Sequence, residues 1–266
     1  VAIAALKNGL PVLVEKPVDA ALSRAQALCA AAEKSGKVFA VMLNQRTNPL
    51  FRRAREIVRS GQLGELKRTV WIITNWYRSQ HYYDSGSWRA TWAGEGGGVL
   101  LNQAPHNLDL WQWICGMPVK VHAHMKYGKW HDIEVEDDVT AYVEYENGAT
   151  GVFITTTGDG CGTNRFEIMG NKGKLVCENN KLTFYKNEMS MLDTIWNTPN
   201  GFGNMPYEKI EVECPGEYTL HKGVFNNFCN AIVGTEEFIF PIEQGLNGVI
   251  LANAMLLSQW KEAPIT

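Results

Sequence analysis

The first sixty residues alternate between helical periodicity and short apolar runs. Residues 12–14 and 38–43 are apolar and rich in β-branched side chains, which is typical of strands buried in a parallel sheet. Residues 1–8, 19–35 and 49–60 have the spacing of helices. Because helices that alternate with buried strands are typical of βαβ units, this part is predicted to be α/β with a parallel sheet.

From residue 65 onward the pattern changes to short strands. Eight segments have it: residues 65–76, 119–127, 138–145, 150–157, 165–169, 174–177, 182–185 and 209–213. Asn147-Gly148 is a strong hairpin signal between two of them. We therefore predict a large, mostly antiparallel open sheet. Its one face would be covered by the central helix and by helices near residues 218–233 and 243–260, whereas residues 190–206 are predicted to form a long loop.

One predicted strand carries apolar residues on both of its faces. In residues 138–145, Val139, Ala141 and Val143 alternate with Tyr142. A face that met only water would be more polar. We expect the face that turns away from the helices to pair with another copy of the chain.

The central helix follows a run of three glycines, Gly96 to Gly98. Asn102 and His106 lie four residues apart in the apolar helical pattern after this run, and Pro105 belongs in a first turn. We predict a helix that starts at or just before Asn102 and carries both side chains on one face. The positive end of such a helix favours a neutral, proton-accepting imidazole.

Composition and charge exclude several function classes. The chain has 266 residues, 45% of them hydrophobic, and a net charge of -3. No basic face is evident, which argues against nucleic acid or a membrane surface as a partner. The six cysteines are scattered, as expected for free thiols in a reducing cytoplasm. His122 and His124 share a strand face without a third ligand, so no metal site is expected, and the start at Val1, in mid-pattern, indicates a truncated product.

Three sequence features together resemble the Gfo/Idh/MocA family of NAD(P)-dependent oxidoreductases. They are the tripeptide Glu15-Lys16-Pro17 after the first strand, the aromatic and arginine-rich segment 76–92, and the glycine run that precedes Asn102, His106 and Asp109. The resemblance covers essentially the whole chain. It implies hydride transfer between a hydroxyl carbon of a sugar, inositol or nucleotide sugar and NAD or NADP, in a cytoplasmic homodimer or homotetramer.

The resemblance also implies the domain organisation and the fold class. Residues 1–47 would be the C-terminal remnant of a dinucleotide-binding Rossmann domain, and residues 48–266 an α+β domain for substrate binding and oligomerisation. The family's glycine-rich phosphate loop is absent, because the glycines at 94–98 follow no clear strand and those at 158–162 lead into another strand. We therefore expect this chain alone to be inactive.

The resemblance implies catalytic roles for Lys16 and His106, with His106 as the usual proton acceptor. It implies cofactor contacts near the ends of the first two strands, from Glu15, Lys16, Pro17 and Arg46. The family commonly has aspartate four residues before the histidine, whereas this chain has Asn102. Because an amide adds no negative charge, the departure leaves open whether His106 alone is the base or Lys16 shares the task.

Substrate contacts are predicted from side chains whose chemistry suits a polyhydroxylated ring. Aromatic faces pack against sugar rings, and arginine binds a carboxylate or phosphate group. The candidates are Asn102, Arg78, Tyr82, Tyr83, Trp88 and Arg89. Each aromatic residue could equally be core or subunit packing. The alternative for the whole chain is a non-catalytic module for sheet-mediated assembly or ligand binding.

Overall fold

The computed structural model describes residues 1–203 and 205–266, which contain ten strands and eight α-helices. The strands are Val12–Val14 (β1), Phe39–Val41 (β2), Leu66–Ile73 (β3), Lys120–Tyr127 (β4), Glu136–Glu144 (β5), Thr150–Thr156 (β6), Asn164–Gly170 (β7), Gly173–Glu178 (β8), Lys181–Asn187 (β9) and Tyr207–Val212 (β10). The helices are Ala2–Lys7 (α1), Leu22–Ser35 (α2), Pro49–Arg59 (α3), Gln80–Asp84 (α4), Pro105–Cys115 (α5), Met191–Asn197 (α6), Leu220–Val233 (α7) and Ile242–Lys261 (α8).

The smaller sheet consists of β1 and β2, which run parallel. Val12 pairs with Phe39 and Val14 with Val41, as expected when a helix, here α2, connects two parallel strands. The parallel α/β arrangement predicted from the apolar runs is therefore confirmed. Its core combines Leu6, Leu28 and Phe39 with residues from the other end of the chain, Val224 and Phe240. The helix α7 and the segment before α8 thus pack on the N-terminal residues.

The larger sheet has the order β10-β9-β8-β7-β3-β6-β5-β4. All neighbouring pairs in it are antiparallel except β3 and β6, which run parallel. Strands β4 to β6 and β7 to β10 are two meanders, and β3 lies between them. The predicted antiparallel sheet is confirmed.

Helices α5 and α8 cover one face of this sheet. The helix expected near residues 218–233 does not lie there, because α7 packs on the smaller sheet's core. Val139, Ala141 and Val143 point into that core, whereas Tyr142 on the other face is 43% exposed. In the core, Trp111 of α5 stacks on Phe153 with ring centroids 5.4 Å apart, and its indole N–H donates to Thr69 Oγ1 at 3.0 Å. The central helix is therefore fixed by burial and by a hydrogen bond to β3.

The predicted start of the central helix was wrong. The central helix begins at Pro105 rather than at Asn102, because residues 98–104 form tight turns in which Asn102 N–H donates to the Gly98 carbonyl. The buried Glu136 carboxylate holds this segment by accepting from Gly98 N (2.8 Å) and Leu100 N (3.1 Å). Asn102 and His106 consequently do not share one helix face.

The segment 190–206 is not one long loop. Helix α6 spans Met191–Asn197 within it, where Met191, Leu192 and Ile195 supply helical apolar spacing. Residue 204 of the predicted loop lies outside the described residues. None of the helices in the described ranges is long and apolar enough to cross a membrane.

Candidate active site

Three segments meet at a cavity of about 430 Å³. The first follows β1, the second comprises residues 88–95, and the third is the turn before α5. Six of the eleven residues that line the cavity are polar or charged. The lining residues are Lys16, Pro17, Asp19, Ala20, Arg24, Trp88, Arg89, Gly94, Glu95, Leu101 and Asn102. Lys16, Pro17, Trp88, Arg89 and Asn102, all predicted as site residues, therefore line one cavity.

Lys16 connects the parallel sheet to the turn before α5. Its Nζ donates to the backbone carbonyl of Asn102 at 2.8 Å. Burial lowers the pKa of Lys16, and the carboxylates of Glu15 and Glu95 partly oppose this effect. An ammonium group at this position has two further donors for a ligand.

His106 is the second residue of α5 and is largely enclosed. Its Nδ1 is buried and has no hydrogen-bond partner among the described residues. Burial lowers the pKa of His106 to about 4, and the positive charges of Lys16 and His221 act in the same direction. The imidazole is therefore neutral at pH 7 and has a free proton-accepting capacity. Burial and these two positive charges favour the neutral imidazole, as the positive end of the helix was expected to do.

Asn102 contacts a carboxylate that the sequence analysis missed. Its Nδ2 donates to Glu95 Oε1 and lies 3.5 Å from the hydroxyl of Tyr82. Glu95 Oε2 accepts from the backbone N–H of Ala90 at 2.6 Å. The only signal in the sequence was a carboxylate directly before the glycine run.

The arginines and aromatic residues separate into two groups. Arg89 packs over the rings of Trp88 (4.4 Å) and Tyr82 (4.6 Å) and donates to the Tyr82 hydroxyl at 2.9 Å. Arg78 stacks on Tyr82 at 5.1 Å and donates to the Tyr77 carbonyl. Arg78 and Tyr82 thus support Arg89 from outside the cavity lining.

Tyr83 points into the interior. Its hydroxyl donates to Thr157 Oγ1 at 3.0 Å, and burial raises its pKa to about 12. The predicted role of Tyr83 as a substrate contact finds no support in this position, because its polar atom is already paired inside the fold. Packing, the alternative raised for every aromatic residue, describes Tyr83 better.

Arg46 is paired inside the protein. The guanidinium makes a two-pronged ion pair with Asp109, with distances of 2.8 Å (Nε–Oδ2) and 2.5 Å (NH2–Oδ1), and a hydrogen bond to Gln244. The side chains of Arg46 and Asp109 are 1% and 2% exposed. The structure therefore gives Arg46 a structural role in place of the predicted cofactor contact. Glu15 is exposed and beside Lys16.

The described residues fit one end of a nicotinamide dinucleotide. Lys16 and Pro17 lie at the carboxyl end of β1, where such sheets bind ligands, and the unpartnered His106 is close enough to Lys16 for the two side chains to interact electrostatically. For the pyrophosphate no cradle is found in residues 1–203 or 205–266, since neither β1 nor β2 leads into a glycine-rich loop. In the same ranges no three His, Cys, Asp or Glu side chains are grouped to hold a metal ion.

Comparisons with known proteins match both parts of the chain to family models. A family model described as the GFO/IDH/MocA C-terminal domain matches residues 51–176. A second, described as an oxidoreductase family with an NAD-binding Rossmann fold, matches residues 1–43. The two matches cover both sides of the cavity.

Two relatives with assigned activities are named as dehydrogenases. The 1-carboxy-3-chloro-3,4-dihydroxycyclohexa-1,5-diene dehydrogenase of Comamonas testosteroni is 26% identical over 95% of this chain and 74% of its own length. The D-glucoside 3-dehydrogenase of Escherichia coli is 29% identical over 54% of this chain and 44% of its own length. The chain spans about half the length of several curated relatives that it matches.

A solved structure has the same fold. The WlbA dehydrogenase from Chromobacterium violaceum, crystallised with NADH and UDP-GlcNAcA, superposes with a TM-score of 0.82 and 25% identity. The superposition covers 99% of this chain and 72% of that one.

Proposed function

Because this chain belongs to the Gfo/Idh/MocA family of oxidoreductases, we propose that it forms the substrate side of a sugar-type dehydrogenase. The enzyme transfers a hydride between a hydroxyl-bearing ring carbon and NAD or NADP. The substrate class is a sugar, an inositol or a nucleotide sugar. Relatives named for a glucoside and for a dihydroxylated ring support this class, as does the neighbour crystallised with a nucleotide sugar and NADH.

The observation that carries the proposal is the state of His106. A buried imidazole with an unpartnered nitrogen is costly to keep, and such groups in native structures require an explanation. Its lowered pKa makes it neutral at physiological pH. A neutral imidazole close enough to Lys16 to feel its charge is suited to accept the proton of a substrate hydroxyl held by that lysine.

The remaining side chains have separate tasks. Lys16 and Pro17 would hold the nicotinamide ring, which when bound would supply the hydride acceptor for the carbon that carries the hydroxyl. Lys16 directs its free donors toward the substrate oxygen and stabilises negative charge there while His106 takes the proton. Sharing of the proton between Lys16 and His106 is the alternative, and the pH dependence of single variants separates the two.

The outer wall of the cavity would hold the substrate ring. Trp88 is 52% exposed, so its ring is available for stacking. Arg89 forms none of the ion pairs found among the described residues. Its guanidinium fork is therefore available to a carboxylate or phosphate group on the substrate.

The domain boundary at residue 47 and the homodimer or homotetramer are further parts of the proposal. The exposed face of the large sheet, which carries Tyr142, is the proposed subunit contact. A monomer in light scattering at micromolar concentration would contradict it.

The test is a screen of sugars, inositols and nucleotide sugars with NAD⁺ and NADP⁺, in which nicotinamide absorbance measures turnover. It uses the natural protein that carries this chain, and the 266-residue chain as a parallel sample. We expect turnover by the natural protein and weak dinucleotide binding by the chain alone, because a helix N-terminus and glycine loop supply much of pyrophosphate recognition. No turnover with any polyhydroxylated ring would refute the proposed function.

A further inference from the structure

Glu95 determines which way the Asn102 side chain points. A carboxylate only accepts hydrogen bonds, so the group that Asn102 turns toward Glu95 must be its amide nitrogen. The same amide nitrogen is 3.5 Å from the Tyr82 hydroxyl oxygen. Asn102 Oδ1 is therefore turned away from Glu95, and none of the hydrogen bonds within the described ranges ends on it. Because Asn102 lines the cavity, this carbonyl oxygen is available to a ligand.

Glu95 is itself fixed by its own loop. Its second carboxylate oxygen accepts from Ala90 N at 2.6 Å, and its backbone N–H donates to the Thr91 carbonyl at 3.0 Å. Both carboxylate oxygens are thus occupied by protein donors. Glu95 acts on a ligand through Asn102 rather than by direct contact.

The same carboxylate lies among cationic groups. Lys16 donates to the backbone carbonyl of Asn102, and the charge of Glu95 raises the pKa of Lys16 against the effect of burial. Arg89 lines the same cavity. Glu95 therefore supplies a negative charge on this side of the site, next to an amide that has none.

We propose that Glu95 is a positioning residue that fixes the Asn102 amide so that its Oδ1 accepts a hydrogen bond from a substrate hydroxyl. The substrate part of this inference rests on the proposed dehydrogenase function. The site would then be built as a carboxylate–amide pair, and Asn102 would be an acceptor for the substrate, not a donor.

The pairing makes a sharp prediction about charge. In N102D the new carboxylate would face Glu95 at hydrogen-bond distance, and two carboxylates so close cannot both ionise without strong repulsion. Adding E95Q exchanges the two groups and restores the pair, because the introduced amide can donate to one oxygen of the introduced carboxylate while the other oxygen still faces the cavity. The single change N102D should therefore be harmful, and the exchange should rescue it.

The experiment compares the wild type with E95Q, N102D and the double variant E95Q/N102D, first by melting temperature against pH. We expect N102D to melt about 4 °C below the wild type at about pH 8 and to approach it at about pH 5, where one carboxyl holds a proton. The double variant should recover most of the loss. E134Q is the matched control, since Glu134 also caps this loop, at Trp92 N (3.1 Å), and makes no hydrogen bond to Asn102; it should leave the pH profile unchanged.

The second measurement is steady-state kinetics of the natural protein that carries this chain. Without the fixed amide, E95Q should raise KM for the hydroxylated substrate about ten-fold, with a smaller effect on kcat, and the exchange should bring KM back toward the wild type. An N102D variant that melts like the wild type at both pH values, or a double variant no better than N102D, would overturn the pairing. Recovery in melting without recovery of KM would overturn the substrate role. A wild type that turns over no substrate refutes the proposed function and the substrate role with it, while the melting series still decides the pairing.

Discussion

Helix α5 carries two polar side chains, one turn apart, that differ in whether the protein satisfies their hydrogen bonds. Asp109 accepts from Arg46 through both oxygens, and Oδ1 also accepts from Gln112 Nε2 at 3.1 Å. His106, three residues earlier, has a buried nitrogen without a partner among the described residues. Both side chains are largely removed from water, yet only one of them has its hydrogen-bonding capacity satisfied within the protein.

The difference helps to distinguish residues with a structural role from residues available for catalysis in this chain. In the sequence, Arg46 was predicted to contact the cofactor. In the structure its hydrogen-bond donors are occupied by Asp109 and Gln244 and are not available to a ligand. Seven buried side-chain atoms lack a partner among the described residues, and His106 Nδ1 is the one of them that belongs to an imidazole. His106, unlike Arg46, therefore keeps a proton-accepting capacity that no described residue occupies.

The largest expected effect is on turnover. In the natural protein that carries this chain, His106→Ala should lower kcat by about 10²–10⁴-fold, because it removes the proposed proton acceptor. Cofactor affinity should change little, which fluorescence titration with NADH can check. Near-normal turnover of the variant would make Lys16 the better candidate for the base.

Breaking the Arg46–Asp109 ion pair should lower the stability of the fold rather than turnover. Arg46→Met leaves the Asp109 carboxylate buried and unpaired, so we expect the free energy of unfolding to fall by about 3–5 kcal/mol. Urea denaturation followed by tryptophan fluorescence measures this. The double variant R46M/D109L should recover much of the loss, and if it does not, the ion pair is not the reason for the defect.

The smallest effect is a pH dependence of stability that belongs to His106. Its pKa is about 4 in the folded chain, against an ordinary value of 6.5 for an exposed histidine. The unfolded chain therefore binds the proton more readily, and stability should fall as the pH drops from about 6.5 to about 4, by up to about 3 kcal/mol. Denaturation midpoints of wild type and His106→Ala across this range give the test. Parallel curves for the two proteins would show that His106 is not the titrating group.

The sequence predicted the sheet well because strand patterns are local. Alternating and apolar runs placed all eight strands of the large sheet, and β1 and β2, within a few residues. The start of α5 was missed because a distant residue, Glu136, clamps the glycine segment in turns up to Pro105. Local periodicity contains no information on that contact.

The site residues likewise divide into those that a local motif identified and those whose role depends on distant contacts. Lys16 and Asn102 were found from a motif, and the structure places them 2.8 Å apart from Nζ to carbonyl oxygen. The partner of Arg46 lies 63 residues further along the chain, so its pairing could not be read from spacing. Glu95 was overlooked because its importance depends on the orientation of one amide.

The position of β3 bears on how the chain acquires its structure. It is the first strand of the large sheet to be synthesised, yet both of its partners, β6 and β7, come from much later in the sequence. The meanders beside it can form from neighbouring segments, whereas β3 must wait with two unpaired edges until both exist. Such long-range pairing slows folding and exposes strand edges to aggregation. Joining the two meanders through β3 is therefore expected to be the slow step of folding, and the stage at which the nascent chain most depends on chaperones.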